Sequence, residues 1–246
     1  MINIIREPSM PESLNTQEVR DYVNNCAIYK DDPENNPKPT ISTKYRSSDL
    51  IQAFDRCFFS KCYLTEEKFF NSWKMDVDHF VGQNEDMSLI YEWTNLYPAE
   101  HKANMCKPRT TPIGGYLDPC NNHHDVENEI IYTLVNFGNK PNFTPRNPHN
   151  AQAVNTCILL ERIHNGHNTE SENNMADLRH GIQKKYIHLL EKICHWRSLE
   201  IGSQAEIQVR NELRLMLSRR SSFTMILRSI PPVIQINSDF PTFFFD

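Results

Sequence analysis

The chain has 246 residues, of which 39% are hydrophobic, enough to bury a core in one domain or two small ones. Its formal net charge of -5 and pI near 6.1 are not those of a protein that coats nucleic acid by its own field. No stretch approaches the roughly 18 apolar residues of a membrane helix. Seven cysteines without a regular framework point to reduced thiols in a cytoplasmic protein.

The opening Met1 to Arg6 has no basic region followed by an apolar run, so no signal peptide is expected. The sequon Asn142-Phe143-Thr144 would matter only in a secreted chain. Residues 1–44 are polar and suggest an N-terminal arm, with an exposed loop over Lys30 to Pro39. Residues 45–150 hold the richest pattern. Met75 to Phe80 roughly alternates apolar and polar residues, as a short strand does. Val81 to Ser88 is mostly polar, contains Gly82, and reads as a loop. Leu89 to Pro98 is aromatic-rich and stops at a proline, which suggests a second extended piece. Ala99 to Lys107 has helical composition up to Pro108. Residues 111–150, with several Pro and Asn, read mostly as loop with short strands, and Cys120 to His124 reads as a turn.

From 151 to 246 the pattern turns helical. Ala153, Cys157, Leu160, Ile163 and His164 fall at helical spacing, and so do Leu178, Ile182, Tyr186, Leu189, Leu190, Ile193 and Cys194. His167 to Asn174 separates these two helices. A third spans about Ser203 to Leu217, with Val209, Leu213, Met216 and Leu217 on its apolar side. His164, His180, His188 and His195 read as surface or boundary residues of these helices. Phe223 to Asp246 is largely apolar and ends Phe243-Phe244-Phe245-Asp246. Such a tail packs on the body or docks on a partner, because left exposed it invites aggregation.

The strand, loop, second arm and helix of residues 75–107 form a ββα pattern, and chemistry-bearing residues sit on it. Asp78-His79 lies on the first arm, Asn95 on the second and Asn104 on the helix. Hydrolysing a phosphodiester needs a hard divalent cation on the phosphate and a base for the attacking water. His79 suits the base, since an imidazole near its free pKa takes a proton at neutral pH. Asp78 and Asn104 offer oxygen ligands that suit one Mg²⁺ or Mn²⁺. On a regular strand Asp78 and His79 point opposite ways, so sharing a site would need a bend. Asn95 is expected to orient the His79 imidazole. Lys107, one helical turn from Asn104, is expected to contact the phosphate, and Lys102 to assist. The metalloprotease motif HExxH is absent from the sequence.

These residues, with Trp93-Thr94-Asn95-Leu96-Tyr97 and Asn104 to Lys107, resemble the HNH nucleases. From about Met1 to Arg197 the chain resembles the HNH proteins called PtuB, the nuclease subunit of Septu and certain retron anti-phage systems. Carrying segments are Ile5-Arg6 with Pro11 and Leu14, Tyr45-Arg46 to Phe54, Lys61-Cys62-Tyr63 with Glu66, and Val77-Asp78-His79-Phe80. Gly115 to Cys120, Ala153 to Leu160 and Leu178-Arg179 extend the likeness. The resemblance implies an α+β fold with a ββα-metal HNH core and a helical C-terminal part. It also implies a metal-dependent endonuclease acting on DNA or RNA, a PtuA-type ATPase partner, and in some systems a retron reverse transcriptase with its DNA–RNA product.

Many HNH proteins, PtuB included, brace the ββα unit with a Cys₄ zinc site of two CxxC pairs. Here the first pair starts at Cys62 or Cys57 and lacks its second thiol, while the second pair falls on Glu100 and Ala103. A standard Cys₄ site is therefore not expected. A rearranged set from Cys57, Cys62, His101 and Cys106 stays open, though its spacings match no standard pattern. Packing is expected to hold the motif instead, through Phe58, Phe59, Phe69, Phe70, Trp73 and Trp93. The competing reading is a catalytically inactive HNH-like subunit kept for nucleic-acid or partner binding.

Overall fold

The computed structural model describes residues 1–40, 46–135 and 140–240. Thr16 starts the first helix by accepting the Val19 N–H on its hydroxyl, and Val19, Tyr22 and Cys26 then form the buried stripe of α1 (Gln17–Asp31). This helix lies inside the stretch expected to be a polar arm. Its stripe packs on a 3-10 turn, Met87–Leu89, where the Tyr22 and Tyr91 rings meet edge-on at 5.3 Å. Met1, Ile2 and Ile4 are also buried. The Lys30 to Pro39 segment is largely exposed beyond the end of α1, as expected.

α2 (Ser48–Cys57) buries Leu50, Ile51, Ala53, Phe54 and Cys57. Tyr45, at the start of the Tyr45 to Phe54 segment that carries the resemblance, lies outside the described residues. After α2, Phe59 and Ser60 both adopt left-handed backbone, and the chain folds back so that Lys61 bridges to Lys68. Phe58 and Trp93 pack in the core as expected, with Phe59 and Phe69 partly buried against it. Phe70 and Trp73 do not join them. Phe70 is 94% exposed and Trp73 lies under the Arg46 guanidinium at the surface. The reason is polar: Asp55 takes both the N–H and the hydroxyl of Ser72, which anchors the start of the short turn Ser72–Lys74 inside and leaves Trp73 and Lys74 facing out.

β1 (Asp76–His79) pairs antiparallel with β2 (Leu96–Ala99), Asp78 opposite Tyr97 and His79 opposite Leu96. The second arm is strand only from Leu96. The residues before it form 3-10 turns, because Asp86 and Glu92 cap them by accepting the Ser88 and Thr94 N–H groups. α3 (His101–Cys106) follows directly, capped by the Glu100 carboxylate on the Lys102 and Ala103 N–H groups and ended before Pro108.

α4 (Val126–Glu129) leads into a second hairpin of β3 (Ile130–Val135) and β4 (Lys140–Pro145), on which α5 (Ala151–Asn165) packs. The spacer expected after α5 contains a further helix, α6 (Thr169–Asn174), made by a capping box between Asn168 and Ser171. α7 (Ala176–Arg197) and α8 (Gln204–Met216) pack together and realise the helices expected around 178–194 and 203–217. α9 (Thr224–Arg228) and α10 (Pro231–Asp239) bury Ile226, Leu227, Val233 and Ile236, so the apolar C-terminal stretch packs inward at least to Ile236. Phe243 to Phe245 lie outside the described residues. His180, His188 and His195 are exposed, but His164 is 1% exposed and sits in the core beside Phe143. The architecture is α+β, and no helix among the described residues is long and apolar enough to cross a membrane.

Candidate active site

β1 is regular through His79, so strand alternation separates the Asp-His pair. Asp78 shares the face of Asp76 and Tyr97, while His79 lies on the opposite face. Asp78 is buried, and its Oδ2 accepts the Tyr63 hydroxyl at 2.5 Å and the Lys107 ammonium at 2.7 Å. Lys107 also donates to the His79 carbonyl at 2.7 Å. Lys107 therefore does not extend toward a phosphate as the helical spacing suggested: its side chain is 9% exposed and pairs with Asp78. A buried carboxylate attracts the nearest cation, and here the chain supplies its own.

The His79 imidazole is buried between loop residues. Nε2 lies 3.1 Å from the Ile90 carbonyl, which can only accept, so Nε2 carries the proton. Nδ1 is then the basic nitrogen, and the Gln83 side-chain amide sits 3.2 Å from it. Burial holds the imidazole pKa below its ordinary value; the Ile90 bond and Asp78 oppose this and Lys107 reinforces it. The imidazole is accordingly neutral at pH 7.

Asn95 does not touch the imidazole. Its Nδ2 donates to the Val81 and Leu89 carbonyls at 3.1 Å each, and its Oδ1 accepts the Val81 N–H at 2.7 Å. It fastens both ends of the loop between β1 and β2, and acts on His79 one residue removed, by fixing Leu89 next to Ile90. Asn104 turns toward Asp76 rather than Asp78, its Nδ2 3.2 Å from Asp76 Oδ2. His101 Nδ1 lies 2.8 Å from the same oxygen. Lys102 points away, its amine 3.4 Å from the exposed Asp177 carboxylate.

The expected cation ligands Asp78 and Asn104 are thus not gathered on one point, and the Asp78 carboxylate is already neutralised. As arranged, that pair does not fit a divalent ion. Among the described residues no three His, Cys, Asp or Glu side chains gather as a metal-holding group. The rearranged zinc set is also dispersed: Cys57 Sγ accepts the Glu7 N–H and His101 is on Asp76. Cys62 is buried, which pushes its thiol pKa up, while N–H groups of Glu100, Thr65 and Leu64 donate to its sulfur and oppose the rise. Ala103 is fully buried.

Three contributors have no advance signal in the motif. Arg6 donates to the Trp93 and Leu96 carbonyls at 2.9 and 2.8 Å, and its guanidinium lies 4.6 and 4.3 Å from the Trp93 and Tyr97 ring centroids. It clamps the start of β2 from the N-terminal segment. Asp118 accepts the Tyr97 hydroxyl and thereby ties the segment after α3 to the same strand. Gln83 caps the basic nitrogen of His79. Asp76 was within reach of sequence reasoning, because a residue two before Asp78 must share its strand face. His101 was too, three residues before Asn104 on the helix.

No protein-family model matches this chain, and no curated protein or solved structure matches it either.

Proposed function

We propose that the chain is a metal-dependent endonuclease of the HNH type, hydrolysing phosphodiester bonds of DNA or RNA. The observation that carries this reading is His79. It is a buried, neutral imidazole on the first strand of a hairpin followed by a helix, with its basic Nδ1 turned to a polar loop side chain. In this reading Nδ1 takes the proton of a water. The oxygen of that water attacks phosphorus, and the sugar oxygen leaves with the bond electrons. Gln83 must move aside or orient that water, since it sits where the water would bind. Asn95 holds the loop that sets the imidazole. A divalent ion, Mg²⁺ or Mn²⁺, would supply charge stabilisation on the phosphate when bound. By its resemblance to PtuB, the chain acts as the effector subunit of an anti-phage defence complex with a PtuA-type ATPase. In retron-type assemblies a reverse transcriptase with its DNA–RNA product joins it.

The Lys107–Asp78 pair favours a second reading, a catalytically inactive HNH-like subunit that binds nucleic acid or a partner, because it neutralises one expected ligand. Purified protein, alone and with any co-purifying partner, is assayed with Mg²⁺ or Mn²⁺ on duplex DNA, single-stranded DNA and total RNA including tRNA. Cleavage by the wild type that is lost in His79→Ala, with circular dichroism unchanged, is the expected result. Cleavage retained in that variant refutes the role of His79, and no cleavage by the wild type under any condition favours the second reading.

A further inference from the structure

Phe70 and Trp73, which the fold keeps out of the core, stand on a surface with a chemistry of its own. From residue 68 to residue 74 the exposed side chains are Lys68, Phe70, Trp73 and Lys74, rings enclosed by cations. Phe70 is 94% exposed and Trp73 47%. Asp55 Oδ1 accepts the Ser60 and Ser72 hydroxyls at 2.8 and 2.7 Å, so the turn after α2 and the turn that carries Trp73 lie side by side. Phe59 and Ser60 in that first turn both hold left-handed backbone, which bulky side chains disfavour and which recurs at ligand clamps. Arginines join the surface from elsewhere in the chain. The Arg46 guanidinium lies 5.6 Å from the Trp73 ring centroid, and that of Arg220 lies 5.4 Å from the Phe59 centroid. Arg46 and Lys68 donate to the backbone carbonyls of Trp73 and Arg220, which are uncharged, so their positive charge is not neutralised there. The half-buried Asp55 is engaged by Ser60 and Ser72, and Glu67 lies on the α3 side, where burial and the Glu100 carboxylate raise its pKa. Positive charge therefore prevails around the rings.

We infer that this surface binds single-stranded nucleic acid, with unstacked bases on Phe70 and Trp73 and phosphates on Arg46, Lys68, Lys74 and Arg220. An exposed ring offers a face on which any base can stack. A duplex keeps its bases inside the helix, so a single strand fits this surface and a duplex does not. A protein-docking site buries a contiguous apolar centre within a polar rim, whereas here the rings stand singly among cations. Trp73 precedes His79 by six residues, at most about 20 Å of extended chain, so a strand held here can extend toward the imidazole. As a statement about substrate form the inference rests on the nuclease reading, but binding stands by itself, so the two fail separately.

The test is fluorescence anisotropy of a labelled oligothymidylate, an oligouridylate and a DNA duplex of equal length, titrated with the full chain in EDTA. Wild type is compared with Phe70→Ala, Trp73→Ala, Trp73→Phe, Lys68→Gln and Lys184→Gln, each checked for folding by circular dichroism. Both single strands should bind more tightly than the duplex. Phe70→Ala and Trp73→Ala should each weaken them about tenfold, while Trp73→Phe keeps the affinity within about threefold. Log affinity against log salt should fall with a slope of about −3, made shallower by about 0.7 in Lys68→Gln and unchanged in the aromatic variants. Lys184→Gln, which removes an exposed cation of α7, should leave affinity and slope unchanged. Absence of single-strand binding, or binding indifferent to Phe70→Ala and Trp73→Ala, overturns the inference. So does displacement by polyglutamate as effective as by unlabelled oligothymidylate, which would assign the surface to an acidic protein. Binding as described without cleavage of any nucleic acid upholds the surface and sinks the nuclease reading; cleavage without single-strand binding does the reverse.

Discussion

In the hairpin of β3 and β4, buried and exposed side chains alternate from Ile130 through Tyr132 and from Pro141 through Phe143, and α5 covers the apolar face. In the hairpin of β1 and β2 there is no such alternation. Asp78 and His79 are both buried, and so is every residue from Leu96 to Ala99. The β3–β4 hairpin is a half-buried ribbon stabilised by apolar area, Tyr132 meeting Phe143 at 5.5 Å. The other is enclosed on both faces, and its polar groups must find partners inside the protein. Tyr63 and Lys107 serve Asp78, Ile90 and Gln83 serve His79, and Arg6 serves the carbonyls at the start of β2. Burying polar groups near one another is expensive unless each is satisfied, which makes this region rigid and its partners specific.

That difference can be broken most severely at Lys107. Lys107→Ala leaves Asp78 buried beside an empty position and should destabilise the fold by about 3–5 kcal/mol, measured by urea denaturation. Loss below about 1 kcal/mol would mean that Asp78 is solvated in solution and that its pairing is weaker than the geometry implies.

A pH experiment separates the hairpins next. His164, under β4, is buried against Phe143, and burial pushes its pKa down to about 4. The unfolded imidazole takes a proton near pH 6.5 while the folded one does not. Stability from this group is therefore full above pH 6.5 and falls as the pH drops toward 4, by about 3 kcal/mol over that window. Thermal melts of wild type and His164→Leu between pH 7 and 4 should differ in slope. Equal slopes would assign the acid sensitivity elsewhere, His79 being the next candidate because its pKa is lowered by the same cause.

The smallest of the three effects is at Asn95. Asn95→Ala removes three hydrogen bonds that pin Val81 and Leu89 and should cost about 2 kcal/mol. Amide hydrogen exchange should quicken in residues 81–90 and stay unchanged in β3 and β4. Uniform quickening would show that the loop between β1 and β2 is not an independent unit.

Read alone, the sequence located the strand at Asp78-His79, the helix before Pro108 and the three long C-terminal helices. Each carries its own periodicity, cap or stop within a few residues, and such local signals survive folding. The sequence by itself missed α1, although Val19, Tyr22 and Cys26 fall at helical spacing behind the Thr16 cap, because polar composition hid that stripe. Partner choice was decided only by the tertiary structure. Lys107 reaches Asp78 across 29 positions and Arg6 reaches Leu96 across 90, and no local pattern encodes such pairings. Asn104 meets Asp76 and not Asp78 because the register sets Asp76 opposite Ala99, at the end of β2 from which α3 starts, a pairing that the motif's residue order does not contain.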